Sequence, residues 1–168
     1  MFNGSNLQYY EALDPVVFPD SRILILVSMP SVDSERDGFY YMDTSNRFWP
    51  TLSAIYRMPV DTIEQRKELC EKNGIALWSV AKSCMRYLSE EDTMQDIVLN
   101  NISQFLQDHP SIERILCTSH EAMRLLKSAD YQAASEAYYI PSPSADDLWF
   151  DSVAKLMPEY ARALGVNL

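Results

Sequence analysis

The chain has 168 residues, 47% of them hydrophobic and 11% aromatic, which suits one folded domain whose core is large enough to need no staples. With 24 acidic against 14 basic residues the net charge is −10, which excludes general adhesion to nucleic acid or to an anionic membrane surface and leaves any nucleic-acid role to a local patch. No apolar run approaches the length of a membrane span, and the start MFNGSNLQYY has neither the basic residues nor the apolar stretch of a signal peptide, so the expected compartment is the cytoplasm.

The apolar and β-branched run Arg22–Ser28 reads as the first strand. Behind it comes SMPSVDSERDGFYYMDTSNRFW, a long stretch of serines, prolines and aromatic rings that is a poor way to build a core and a good way to build a pocket. Arg47–Met58 then places Phe48, Leu52, Ile55 and Tyr56 on one helical face, and Thr62–Lys72 is a second helix closed by Asn73-Gly74. Ile75–Ala81 is the second strand. A helix from Asp96 to Asp108 stops before Pro110, Arg114–Ser119 is the third strand, and Glu121–Ser128 is the next helix. Ala137–Pro141 is the fourth strand, and a last helix covers Asp147–Leu164, ending at Gly165 with Pro158 as a kink. Strands alternating with helices predict a central four-stranded parallel sheet covered on both faces, an α/β/α three-layer sandwich formed by residues 1–168 as a single domain.

Cys70, Cys84 and Cys117 are odd in number and far apart, and only His109 and His120 could join them, so no metal site is expected and the thiols read as reduced core groups. In a parallel sheet the ligand site lies outside the carboxyl ends of the strands. Those ends are followed here by SMPSVDS, AKSCMRYLSEED, TSHEA and PSPSADD, four hydroxyl-rich loops that share one rim. Arg36, Lys82 and Arg86 can gather on the same rim as a local phosphate-binding patch, or simply be solvated there.

At these loops the chain resembles the uracil-DNA glycosylase superfamily, and most closely its deoxyinosine (hypoxanthine-DNA) glycosylase branch. ILILVSMPSVDSERDGFYYMDTSNRFW is similar to that branch's first motif, a strand running into G-S-x-P-S-x-x-S, an aromatic pair and H-P-x-N-x-F-W. NGIALWSVAKSC is similar to its A-L-W-D-V-x-x-S-C block, and IPSPSADDLW to its L-P-S-x-S-P-A-N segment. The resemblance runs from about Pro19 to the C-terminal helix. It implies a monomeric, cofactor-free DNA repair enzyme that extrudes a deaminated base, hypoxanthine or uracil, from DNA and hydrolyses its N-glycosidic bond. Such chemistry needs a held water and donors aimed at the leaving base, not a metal or a covalent nucleophile.

By the resemblance, Asn46 positions the water, Tyr41 stacks on the base, Ser28 and Met29 approach it, and Ser142 and Ser144 grip phosphates beside it. Each has a plainer reading: Asn46 as a helix cap, Tyr41 as a ring closing the pocket floor, Ser28 and Met29 as a strand-end turn, and the serines as a Pro-Ser turn. Tyr40, Trp149 and His120 read as structural, with Trp149 packing a helix rather than wedging into DNA. The departures from the family pattern weigh on the other side. Val27 replaces a glycine, Asp43-Thr44-Ser45-Asn46 replaces H-P-x-N, and Ser79 replaces the aspartate of A-L-W-D-V. Thr118-Ser119 stands where Asn-Gly is usual, and Ala145-Asp146-Asp147 replaces P-A-N. Carboxylates near a phosphate weaken DNA binding. A degenerate member that keeps the fold as a binding module is therefore the alternative.

Overall fold

A computed structural model describes residues 6–168. The expectation of no signal peptide rests partly on residues 1–5, which lie outside the described residues. Among the described residues no helix is long and apolar enough to cross a membrane.

Two sheets share the chain. Strand β1 (Gln8–Glu11) is followed by β2 (Ile23–Val27), helices α1 (Val32–Asp37), α2 (Phe48–Tyr56) and α3 (Ile63–Lys72), and strand β3 (Ile75–Ser79). Next come β4 (Ala81–Arg86), a 3-10 turn at Glu91–Thr93, β5 (Gln95–Leu99), α4 (Ile102–Asp108) and β6 (Arg114–Cys117). Helices α5 (His120–Ala129) and α6 (Tyr131–Glu136), strand β7 (Tyr138–Tyr139) and helix α7 (Val153–Leu164) complete the order. The larger sheet runs β3-β2-β6-β7 with every pairing parallel.

The run ILILV forms the centre of that sheet because successive side chains alternate between faces and both faces are covered. Ile23 and Ile25 pack with α2, α3 and α7, whereas Leu24 and Leu26 pack with α4, α5 and α6. Ile75 and Leu77 of β3 and Leu116 of β6 join the first layer; Ala76, Ile115 and Cys117 join the second. The result is the α/β/α sandwich that the alternation predicts. Cys70, Cys84 and Cys117 are buried free thiols, and burial pushes the Cys70 and Cys117 thiols up to about 12.

The smaller sheet, β1-β4-β5, is antiparallel and was not expected. The stretch taken as a loop after the second strand is β4, and the helix expected over Asp96–Asp108 begins only at Ile102. Its N-cap is Asn101, whose side chain accepts from Gln104 N, and the residues before it are strand β5. The last helix also starts late, at Val153 behind the Ser152 cap, so Asp147–Asp151 lies outside it. Helices α1 and α6 lie where loop was expected.

The smaller sheet clamps the first motif. Val80 N and Ala81 N donate to Val27 O and Ser28 O at 3.0 and 2.9 Å, carrying the pairing past the end of β2. Met29 packs against Ala81 and Cys84 beneath it. Arg86, 1% exposed, donates from Nη2 to Pro30 O at 2.6 Å with its guanidinium 4.8 Å from the Tyr10 ring centre.

Candidate active site

A cavity of about 190 Å³ opens at the carboxyl ends of the parallel strands, and Ser28, Met29, Tyr41, Asn46, Ser142 and Ser144 all line it. That volume is below the roughly 300–1,000 Å³ of pockets for drug-sized ligands and suits a single small ring system.

Helix α1 organises the near wall. Ser31 caps its start, accepting from Ser34 N, and Gly38 at φ 74° ends it with a left-handed turn that glycine adopts without strain. The chain then drops two rings into the core: Phe39 stacks on Trp49, and buried Tyr40 donates its hydroxyl to Asp14 O at 2.7 Å. Tyr41 is different. Its φ is 56°, an expensive conformation for a residue with a Cβ, and it is fixed from both sides. Trp49 Nε1 donates to Tyr40 O at 2.8 Å, and Met42 N donates to Ser34 Oγ at 3.0 Å. The turn between these anchors places the Tyr41 ring against the cavity with its other face on Phe48. Burial pushes the Tyr41 phenol up, so it stays protonated; its contact to Thr118 Oγ1 is long at 3.5 Å.

Asn46 orders a turn and faces the cavity at once. Its Oδ1 accepts from Phe48 N at 2.9 Å, a short turn just ahead of α2, whose N-cap is Arg47, and this bond orients the amide. A carbonyl oxygen has two acceptor positions, and one remains. Across the rim, Ser142 Oγ accepts from Ser144 N and Ser144 Oγ accepts from Asp146 N, each at 3.2 Å, so PSPSAD winds as two successive hydroxyl-backed turns. Arg47 ties the two walls together: its N–H donates to Pro143 O at 2.8 Å and its Nη1 to Ser144 O at 3.0 Å. It stands between two motif residues, and sequence reasoning passed over it.

Glu91 was also missed. It enters the cavity from the 3-10 turn after β4, where its carboxylate accepts hydrogen bonds from the hydroxyls of Ser28 and Ser119. Only adjacency across the folded rim brings residues 28, 91 and 119 together. Ser119 in turn caps α5, accepting from Ala122 N at 3.0 Å.

No family model matches the sequence. A curated hypoxanthine DNA glycosylase of Methanosarcina barkeri is 29% identical over 127 residues, covering 73% of this chain and 80% of the relative. A hypoxanthine DNA glycosylase of Methanosarcina acetivorans is 30% identical over 104 residues, covering 61% of this chain and 65% of the relative. The chain is thus similar over much of its length to proteins named hypoxanthine DNA glycosylase. A solution structure from Methanosarcina acetivorans, provisionally named a uracil DNA glycosylase, shares the fold with a TM-score of 0.78 at 24% identity, over 94% of this chain and 99% of that one.

The charge of the site departs from expectation. The basic patch of Arg36, Lys82 and Arg86 does not form. Arg36 pairs with Asp33 and Asp37 at 3.1 and 3.0 Å, Lys82 lines a separate cleft with Tyr9 and Trp78, and Arg86 is buried under Pro30. The cavity wall includes Asp43, Glu91 and Asp146 and, among the described residues, no lysine, arginine or histidine. Asp43 is committed to Ser45, accepting from its N and Oγ at 2.9 and 2.8 Å. Asp147 accepts from Trp149 N and Phe150 N at 2.9 and 2.8 Å, capping a turn rather than the last helix. Ser79 donates to Ala81 O at 2.7 Å inside the sheet, and Val27 lies in the cavity wall. Trp149 does not pack a helix: with Leu148 it stands 85% exposed beside the rim. His120 stacks on Tyr139 at 4.1 Å.

Proposed function

We propose that this chain is a DNA repair glycosylase that takes an extruded deaminated base, hypoxanthine first and uracil second, into the cavity and hydrolyses its N-glycosidic bond. The observation that carries the reading is the meeting of Tyr41, Asn46 and the Ser142–Ser144 turns on one cavity sized for a single base. A flipped base stacks on the free face of Tyr41, continuing the stack already begun by Phe48. The second acceptor position of Asn46 Oδ1 holds a water by one of its O–H groups and turns a lone pair toward C1′. The Ser142 and Ser144 hydroxyls and the Arg47 side chain meet the flanking phosphates.

The order of the two lesions follows from charge. Cleavage leaves negative charge on the departing base, and a wall carrying Asp43, Glu91 and Asp146 opposes it. A purine can relieve that charge by taking a proton from water at N7, which leaves the departing base neutral, and the uracil ring has no such nitrogen. The enzyme works as a monomer on DNA in the cytoplasm, with water as nucleophile and no cofactor.

The acidic wall also favours a second reading, a degenerate member that keeps the pocket as a binding module. Incubating excess protein with oligonucleotides carrying hypoxanthine, uracil or xanthine, followed by alkaline strand cleavage, separates the two. Breaks at hypoxanthine that vanish in Asn46→Ala support the glycosylase; intact oligonucleotides at all three lesions leave the module.

A further inference from the structure

Glu91 is a carboxylate inside a cavity whose described wall supplies no cation. Its Oε2 accepts from the hydroxyls of both Ser28 and Ser119, and the Ser119 oxygen also accepts the α5 cap from Ala122 N at 3.0 Å. Oε1 receives no hydrogen bond from the described residues. A carboxylate oxygen accepts, and Oε1, facing the cavity, has that capacity left for a donor on a bound molecule. Arg86 does not supply it, because its guanidinium is held behind the wall on Pro30 O at 2.6 Å.

We propose that Glu91 reads the base, accepting through Oε1 the ring N–H that deamination creates; this rests on the glycosylase reading of the cavity. In adenine N1 and in cytosine N3 the ring nitrogen is a bare acceptor. Deamination to hypoxanthine or uracil turns the same nitrogen into an N–H donor. A wall presenting a carboxylate oxygen at that edge attracts the lesion and repels the parent base, lone pair against lone pair. The discrimination comes from the bound base itself, because the wrong base displaces water from Oε1 and gives it no donor in return.

The test is equilibrium binding to oligonucleotides whose 2′-fluoro sugar resists cleavage, carrying hypoxanthine, adenine or an abasic analogue at one position. The wild type is expected to hold hypoxanthine over adenine by on the order of 10- to 100-fold, the scale of one hydrogen bond to a charged group. Glu91→Gln offers a donor as well as an acceptor and should shrink that preference to within a few-fold while keeping its melting temperature. Should the Gln side chain upset the fold, Glu91→Ala is expected to lose the preference by weakening hypoxanthine and relieving the repulsion of adenine. General damage to the pocket lowers both affinities in parallel and leaves the ratio standing, which would overturn the assignment, as would a wild type with no preference. Cleavage of ordinary hypoxanthine DNA, run beside it, keeps the two questions apart. Binding preference that depends on Glu91 without cleavage would sink the enzyme and keep the reader; cleavage with an unaltered ratio in the variants would do the reverse.

Discussion

The ring of Tyr41 lies flat on that of Phe48, with centroids 3.8 Å apart and planes 12° from parallel. Phe48 is fully buried at the start of α2, so it gives Tyr41 a rigid backing, and the strained φ of 56° keeps the ring on it. Strain held this firmly, by the Trp49 indole on one side and the Ser34 hydroxyl on the other, marks a ring whose position matters more than its comfort. Replacing Tyr41 by Ala should cut cleavage of a deaminated base by about 5- to 100-fold, matching the roughly 1–3 kcal/mol of one base stack. Tyr41→Phe keeps the stack and gives up only a marginal 3.5 Å contact to Thr118, so it should stay within a few-fold of wild type. Single-turnover rates for the pair decide it; a Phe variant as slow as the Ala variant would show that the hydroxyl, not the ring, is what counts.

Asn46 carries two duties, and a single substitution to Ala removes both. Loss of the bond from Phe48 N should lower stability by about 0.5–2 kcal/mol, while loss of the held water should slow cleavage by about 100-fold or more. Asn46→Asp keeps an oxygen for the turn and another for the water, so its melting temperature should match wild type and part of the rate should return. Rates and melting curves for both variants separate the duties. Unchanged cleavage in a folded Ala variant would remove Asn46 from the chemistry.

What the sequence displayed of this site was the part carried by short motifs at the carboxyl ends of parallel strands. The ILILV strand, the Tyr-Tyr pair, Asn46 and the Pro-Ser turns follow one another at strand ends, and strand ends of a parallel sheet converge. Glu91 was invisible because nothing local distinguishes it from Glu90 or Asp92; only the smaller sheet, folding β4 back over the first motif, carries it to Ser28 and Ser119. That sheet was itself hard to see. Two register shifts in the pairing of β4 with β5 break the alternation, and Asp96, a residue type common at helix starts, lies inside β5 at φ 50° instead. The basic patch failed for a related reason: charge counted along loops says nothing about which guanidinium is buried under a carbonyl.

Asp146 and Asp147 are neighbours with different work. Asp147 caps the turn at Trp149 and Phe150, so Asp147→Ala should cost on the order of 1 kcal/mol, a fall of about 2–4 °C in Tm, with little effect on DNA affinity. The Asp146 carboxylate lines the cavity rim beside Ser144 and makes no hydrogen bond to the described residues. Within a Debye length of about 8 Å of a bound phosphate it should oppose binding by on the order of 0.5–1 kcal/mol. Asp146→Asn should then tighten binding to an abasic-site duplex by about 2- to 5-fold at low salt, the gain fading as salt is added. A gain that ignores salt, or none at all, would place the phosphate elsewhere.

Leu148 and Trp149 present two consecutive large apolar side chains to solvent, each 85% exposed, on the segment that leads from the Ser142–Ser144 turns to the last helix. A core role is ruled out by that exposure, and the Asp147 cap holds the backbone that carries them. Extruding a base leaves a gap in the duplex stack, and apolar side chains inserted there compensate part of the lost stacking. Single-stranded DNA has no such gap to fill. Trp149→Ala should therefore leave the melting temperature unchanged within about 0.5 kcal/mol of stability, as expected at an exposed position. Its single-turnover cleavage should fall roughly 10-fold on duplex, the scale of one stacking contact, and hardly at all on single strands. The duplex-to-strand ratio is the measurement that matters. Equal losses on both substrates would mean that Trp149 supports the cavity instead of the opened duplex, and a lowered melting temperature would return it to the packing role its exposure now denies.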